Sequence, residues 1–298
     1  MAGTVITIGT FDGVHLGHQA ALRQTAKLSS EKNLASIAYT FPFPQNQIKP
    51  CLLLPQSIKV KLLNEYVDQV ITTEFPTIQH LSPKQFFDEI IIKQLSCRAI
   101  VVGESFRFGH DRTGDLSLLE NLGKKQGLLV AGVPLIKLAG SPISSTQIRS
   151  LVSAGNIPAA RSLMERFPLL FGEVAPGDRL GRQLGYPTAN LKILQCLLVP
   201  ATGVYLVYAF WDKSEGAGLL YIGTRPTLDR SEMRFELHLF HPPKDDLYGT
   251  DMEIHLLQRI REEKVFSTLA GLRHQIGLDL ASAHSLFRAI DPPTCVLA

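Results

Sequence analysis

Val5-Ile6-Thr7-Ile8-Gly9-Thr10-Phe11-Asp12-Gly13-Val14-His15-Leu16-Gly17-His18 is a β-branched apolar run, then a glycine-punctuated turn, then the opening of a helix. His15 and His18 share one face of the first helical turn. Backbone N–H groups are unpaired there, and the helix dipole favours anions. Gly17 lets a phosphate approach the backbone closely. One histidine at a loop–helix junction is an ordinary half-exposed polar residue. Two of them, with three glycines between residues 9 and 18, point to a triphosphate and its transition state. Neither a Gly-x-x-x-x-Gly-Lys-Ser/Thr loop nor a Gly-x-Gly-x-x-Gly turn occurs near this strand.

Outward from this stretch, strand-like segments at 4–9, 35–41, 69–72, 98–103 and 128–133 alternate with helical spacing over His18–Lys32 and Pro83–Leu95. Such alternation predicts a parallel sheet covered by helices, with functional groups at the carboxyl ends of the strands. The rhythm changes at Phe171. Short runs at Gly172–Val174, Gly203–Phe210, Gly218–Gly223, Met233–Phe240 and Met252–Ile260 are separated by turn residues, as in an antiparallel barrel or sandwich. Residues 267–288 return to helical spacing, with Ser267 as expected N-cap and Leu269, Leu272, Ile276 and Leu280 as the apolar stripe. The boundary is expected near Arg166-Phe167-Pro168, giving domains 1–167 and 168–298.

The 298 residues suffice for two cores, and 45% apolar and 19% charged content fits a globular chain. A net charge of +3, without a basic patch interleaved with aromatics, gives no case for a nucleic-acid partner. Cys51, Cys97, Cys196 and Cys295 are scattered, which argues against a zinc or disulfide framework and for a reducing, cytoplasmic setting. No signal peptide or membrane span is expected.

Three further segments bear on the first half. Ile143-Ser144-Ser145-Thr146-Gln147-Ile148-Arg149 places hydroxyls ahead of a helix ending near Gly155. They serve equally as helix caps or, with Arg149 one turn in, as a diphosphate cradle. Val102–Gly109 carries Phe106 and Phe108, read as packing inward, within a Gly/Arg loop around a flat or phosphorylated ligand. Thr40-Phe41-Pro42-Phe43-Pro44 is a rigid strand end that could wall the site. A general base is not evident, which suits an attacking group that is already a phosphate anion. Nucleotidyl transfer with release of pyrophosphate is the expected reaction.

In the second half, Gly181-Arg182-Gln183-Leu184-Gly185-Tyr186-Pro187-Thr188-Ala189-Asn190 alternates Thr188 and Asn190. Alone it reads as a Gly/Pro turn; its hard oxygens also suit Mg2+ bridging nucleotide phosphates. Glu236 lies in the alternating run Met233–Leu239. Such a carboxylate is either part of a solvated face or a base that deprotonates an alcohol. His238, on the same face, is read as structural.

These segments, together with Gly223-Thr224-Arg225-Pro226-Thr227, Asp246–Gly249 and Arg261…Phe266, occur in the order found in bacterial bifunctional riboflavin kinases/FAD synthetases, which the chain resembles over nearly its whole length. The resemblance implies a Rossmann-like α/β nucleotidyltransferase domain with a parallel sheet. A Greek-key β-barrel of the riboflavin-kinase type with a C-terminal helix would follow. It implies phosphorylation of riboflavin to FMN by the second domain and adenylylation of FMN to FAD by the first, with Mg2+ and ATP. It assigns ATP in the first domain to Gly9, Phe11, Asp12, His15, Gly17, His18, Ser144, Ser145, Thr146 and Arg149, with His15, His18 and Arg149 catalytic. Flavin there falls to Ser105 and Arg107. In the second domain it assigns Mg-ATP to Gly181, Arg182, Thr188 and Asn190, catalysis to Glu236, and flavin to Arg261 and Phe266. The expected partners are these small molecules, with no membrane partner. Ser105 stands where the family usually carries Asp or Asn, and Phe43 where it carries His. A kinase with a weakened adenylyltransferase half is therefore an alternative, as is a non-catalytic flavin-binding regulator.

Overall fold

The computed structural model describes residues 3–42, 52–138, 140–177, 181, 184–194, 197–226 and 231–296. The chain divides into two compact units, Met1–Ser145 and Thr146–Ala298.

In the first unit, β1 (Thr4–Ile8), β2 (Ala35–Thr40), β3 (Gln69–Thr72), β4 (Cys97–Gly103) and β5 (Leu129–Val133) form a parallel sheet of order β3-β2-β1-β4-β5. The expected strands are found to within about a residue. β1 is buried on both faces, as a central parallel strand requires. Val5 joins Ala21 and Leu28 of α1 (Leu16–Lys32), while Ile6 and Ile8 enter the opposite core with Phe86 and Ile91. Asn33, at φ 51°, ends α1 in the left-handed conformation typical of a helix C-terminus. Further α-helices among the described residues are α2 (Gln56–Asn64), α3 (Phe75–Ile78), α4 (Pro83–Gln85) and α5 (Leu116–Gln126). The helical spacing over Pro83–Leu95 resolves into α4 running on as a π-helix, Phe86–Gln94. A small hairpin, β6 (Lys137–Leu138) and β7 (Ser141–Pro142), follows.

α6 (Ser145–Ser153) and α7 (Ile157–Met164) lead to the second unit's barrel. β8 (Leu169–Ala175), β9 (Ala189–Ile193), β10 (Gly203–Trp211), β11 (Ser214–Pro226), β12 (Ser231–Leu239) and β13 (Asp251–Glu262) close in the order β10-β11-β12-β9-β8-β13. Three hairpin-linked strands with β13 returning beside β10 make the expected Greek key. Along β10, Tyr205, Val207, Ala209 and Trp211 fill the barrel core. Val204, Leu206, Tyr208 and Phe210 form an outer layer with Leu280, Ala283, Leu286 and Phe287 of α8 (Leu269–Phe287). α8 departs from expectation at its start. Thr268, not Ser267, is the N-cap, its hydroxyl accepting from Gly271 N at 3.1 Å. Leu269 is exposed rather than part of the packed stripe, because the helix beds down through its C-terminal half.

Candidate active site

The β1–α1 turn sits at the carboxyl end of the central strand, where the sheet order reverses between β1 and β4. Its backbone is left-handed at Phe11 (φ 50°), Gly13 (81°) and Val14 (39°), an unfavourable conformation for a β-branched residue. Bonds from surrounding elements hold it. Leu53 N donates to the Asp12 carboxylate at 3.1 Å, and Ser145 Oγ to the Asp12 carbonyl at 2.8 Å. Gln19 Nε2 donates to the Val14 carbonyl at 3.1 Å, and Thr40 Oγ1 to that of Thr10 at 3.3 Å.

So fixed, the turn delivers His15 as the N-cap of α1. Its Nδ1 accepts from His18 N at 3.4 Å, so the neutral ring carries its proton on Nε2. The two imidazoles stack with centroids 3.6 Å apart and planes 19° apart, and Phe11 meets His18 edge-on at 5.3 Å. A Cβ on Gly17 would approach the His15 ring to 3.2 Å, and one on Gly9 the Phe11 ring to 3.2 Å. Gly9, Phe11, Asp12, His15, Gly17, His18 and Ser145 are thus brought together within the first unit, and Ser144 precedes Ser145 with its side chain exposed. Thr146 and Arg149 lie on α6 in the second unit.

Ser105 and Arg107 are exposed in the turn after β4, with Arg107 Nη1 donating to the Phe106 carbonyl at 3.0 Å. Phe106 and Phe108 stack at 5.5 Å and pack on the sheet core, as expected. Reciprocal backbone bonds between Phe108 and Gly114, 3.0 and 2.9 Å, pinch off the loop between them. Phe43 and Pro44 lie outside the described residues.

In the second unit, strand register aligns Arg261, Val204, Tyr221, Glu236 and Asn190 across five strands. Directly opposed residues share a sheet face. Val204 belongs to the layer beneath α8, so Glu236 and Asn190 lie on the barrel exterior. Glu236 is half-buried, 3.9 Å from Arg234 Nη1. Tyr221 Oη donates to Glu263 Oε1 at 2.5 Å. Burial first, then Glu263 and Glu236, push that phenol's pKa up, against the opposing pull of Arg261.

The segment carrying Thr188 is tethered at Pro187, whose carbonyl accepts from His238 Nδ1 at 2.8 Å. A Cβ on Gly181 would stand 2.9 Å from Thr188 Oγ1, and one on Gly177 would overlap the Asn190 amide at 1.7 Å. Gly177 thus makes room for the Asn190 amide, and Gly181 for the Tyr186 carbonyl and the Thr188 side chain; the side-chain oxygens of Thr188 and Asn190 are hard, neutral donors of a kind that fits Mg2+ shared with phosphates. Arg261 Nε reaches both Asp279 oxygens at 2.9 Å, Nη2 reaches Oδ2 at 2.8 Å, and Cζ lies 5.8 Å from the Phe266 ring. Arg182 and Thr227 lie outside the described residues.

Sequence reasoning missed Lys59, Tyr221 and Asp279. Lys59 shares a buried face of α2 with Ile58, Leu62 and Leu63, and its partners are backbone carbonyls distant along the chain.

Residues 1–147 match the family model described as FAD synthetase, and residues 164–287 that described as riboflavin kinase. The bifunctional riboflavin kinase/FMN adenylyltransferase of Pseudomonas fluorescens is 36% identical, over 95% of this chain and 93% of its own. That of Escherichia coli K12 is 34% identical, over 97% and 95%. A crystal structure described as a macrolide-efflux protein from Streptococcus pneumoniae superposes with a TM-score of 0.87 at 29% identity, covering 95% of this chain and 94% of that one. This chain belongs to the bifunctional riboflavin kinase/FMN adenylyltransferase family.

Proposed function

We infer that the chain makes both flavin cofactors in sequence: the barrel phosphorylates riboflavin to FMN, and the sheet domain adenylylates FMN to FAD. The observation that carries this reading is a contrast between two sites. One presents a stacked imidazole pair at a helix N-terminus. The other presents a half-buried carboxylate, Glu236, in register with Asn190.

The contrast follows from the two nucleophiles. FMN attacks the α-phosphorus of ATP with a phosphate oxygen that is already anionic, so no proton has to be removed. His15 and His18 at the α1 N-terminus neutralise charge that accumulates on the α-phosphate and departing pyrophosphate. Gly17 keeps the approach open, and Gly9, Phe11 and Asp12 shape the turn. Ser144, Thr146 and Arg149 serve the polyphosphate in the same reading, and Ser105 and Arg107 the flavin.

Riboflavin attacks with its ribityl 5′-hydroxyl, a neutral alcohol. Glu236 accepts that proton as the oxygen bonds to the γ-phosphorus and ADP departs. Thr188 and Asn190 would hold magnesium, which supplies charge neutralisation on the phosphates when bound. Gly181 and Arg182 belong to the same ATP-binding segment, and Arg261 and Phe266 border the flavin. The domain division proposed is 1–167 and 168–298, supported by a kinase match that starts at residue 164. Small-molecule partners and a cytoplasmic setting complete the reading. Among the described residues, no helix is long and apolar enough to cross a membrane.

Purified protein given riboflavin, ATP and Mg2+ should form FMN and then FAD on a chromatographic time course, and chelation of Mg2+ should stop both. Absence of FMN under oxidising and reducing conditions alike ends the kinase half of the reading. FMN without FAD, even when FMN is supplied directly, ends the other half.

A further inference from the structure

Lys59 is a buried cation, 5% exposed, on the inner face of α2. Its Nζ donates to the Thr10 carbonyl at 3.0 Å and the Phe41 carbonyl at 2.7 Å. Thr10 and Phe41 lie just beyond the carboxyl ends of β1 and β2. One ammonium therefore ties two neighbouring strand ends at the edge of the imidazole site. Thr10 immediately precedes left-handed Phe11, so its carbonyl orientation sets the entry to the strained turn. Asp12, on that turn, is the charged group that acts on Lys59. Among the ionisable residues of β2 and β3, Tyr39 is held neutral by burial.

A buried cation is unfavourable unless something requires it. A methionine of similar length would satisfy the packing of α2. The turn, however, has two carbonyls to hold at a fixed separation, and a charged donor does so more strongly than a neutral one. We propose that Lys59 is a positioning residue for adenylyl transfer: by bridging the Thr10 and Phe41 carbonyls it holds the β1–α1 turn in the conformation that presents His15 and His18. The proposal rests on the adenylyltransferase reading of that turn.

The test uses the full chain. Lys59→Met removes both hydrogen bonds and Lys59→Arg retains donors and charge. FAD formation from supplied FMN and Mg-ATP should fall at least tenfold in K59M and be restored in part in K59R. Riboflavin phosphorylation by the other unit should stay within about twofold. The readout specific to positioning is the imidazole 1H–13C spectrum. In K59M the His15 and His18 signals should move, because their stacking at 3.6 Å makes each sensitive to the other's ring current, while His238 and His255 stay in place. FAD formation within twofold of wild type in K59M, or unmoved His15 and His18 signals, overturns the proposal. If K59M fails to fold, Lys59→Leu, which likewise has no donor, is read by the same two criteria. A wild-type chain that makes no FAD from FMN overturns instead the reading beneath the proposal, whatever the variants do.

Discussion

His15 has two duties that substitution can separate. Its Nδ1 caps α1 by accepting from His18 N, and its ring stacks beneath His18. Asparagine retains a cap acceptor but no imidazole. His15→Asn should leave the melting temperature within a few degrees and lower FAD formation about a hundredfold, the usual consequence of losing one transition-state donor. An equal loss of riboflavin phosphorylation would mean general damage instead. Lys59 makes a second residue-scale prediction. Burial lowers its pKa from 10.5 to about 8, with Asp12 pulling the other way. The folded protein therefore releases this proton before the unfolded chain does. Stability from this group is lowest below the folded pKa and rises as pH climbs towards the unfolded value. Between about pH 7.5 and about pH 9.5, wild type should gain about 2 kcal/mol relative to K59M in urea denaturation. A gain of opposite sign would contradict the burial of the charge. The histidine pair was legible in sequence because its spacing is local. Lys59 is not legible there, because its meaning comes from Thr10 and Phe41, carbonyls distant along the chain.

At the scale of elements, hydrophobic period carried most of what the sequence could tell. β10 is an unbroken apolar run because both its faces are covered, one by the barrel core and one by α8. β9 gave little signal, being five residues with exposed Lys192 between buried Leu191 and Ile193. Its place next to β12 depends on a long-range pairing, and that pairing is what sets Asn190 opposite Glu236. The π-helix after α4 and the true start of α8 were also invisible, since neither leaves a distinctive apolar spacing. α8 is fixed by a charge as well as by packing. Asp279, 4% exposed, accepts from Arg261 and from Gln275 Nε2 at 2.8 Å. Asp279→Ala strands the guanidinium in a largely buried position and should cost about 3–5 kcal/mol. Hydrogen exchange should show α8 amides opening earlier in that variant. Unchanged α8 protection would show that apolar packing alone anchors the helix.

For the whole molecule, the order of motifs identified two catalytic halves, and the two family matches, over residues 1–147 and 164–287, fall in that same order. What divides the halves chemically is the nucleophile: an anion in one, an alcohol in the other. The sharpest test is therefore Glu236→Gln in the full chain, assayed with riboflavin or with FMN, each with Mg-ATP. Conversion of riboflavin to FMN should fall by at least about a hundredfold, in the range for loss of a general base. FAD formation from supplied FMN should stay within about twofold of wild type. Retained phosphorylation of riboflavin, or loss of FAD formation from FMN, would contradict the assignment of a proton acceptor to the barrel alone.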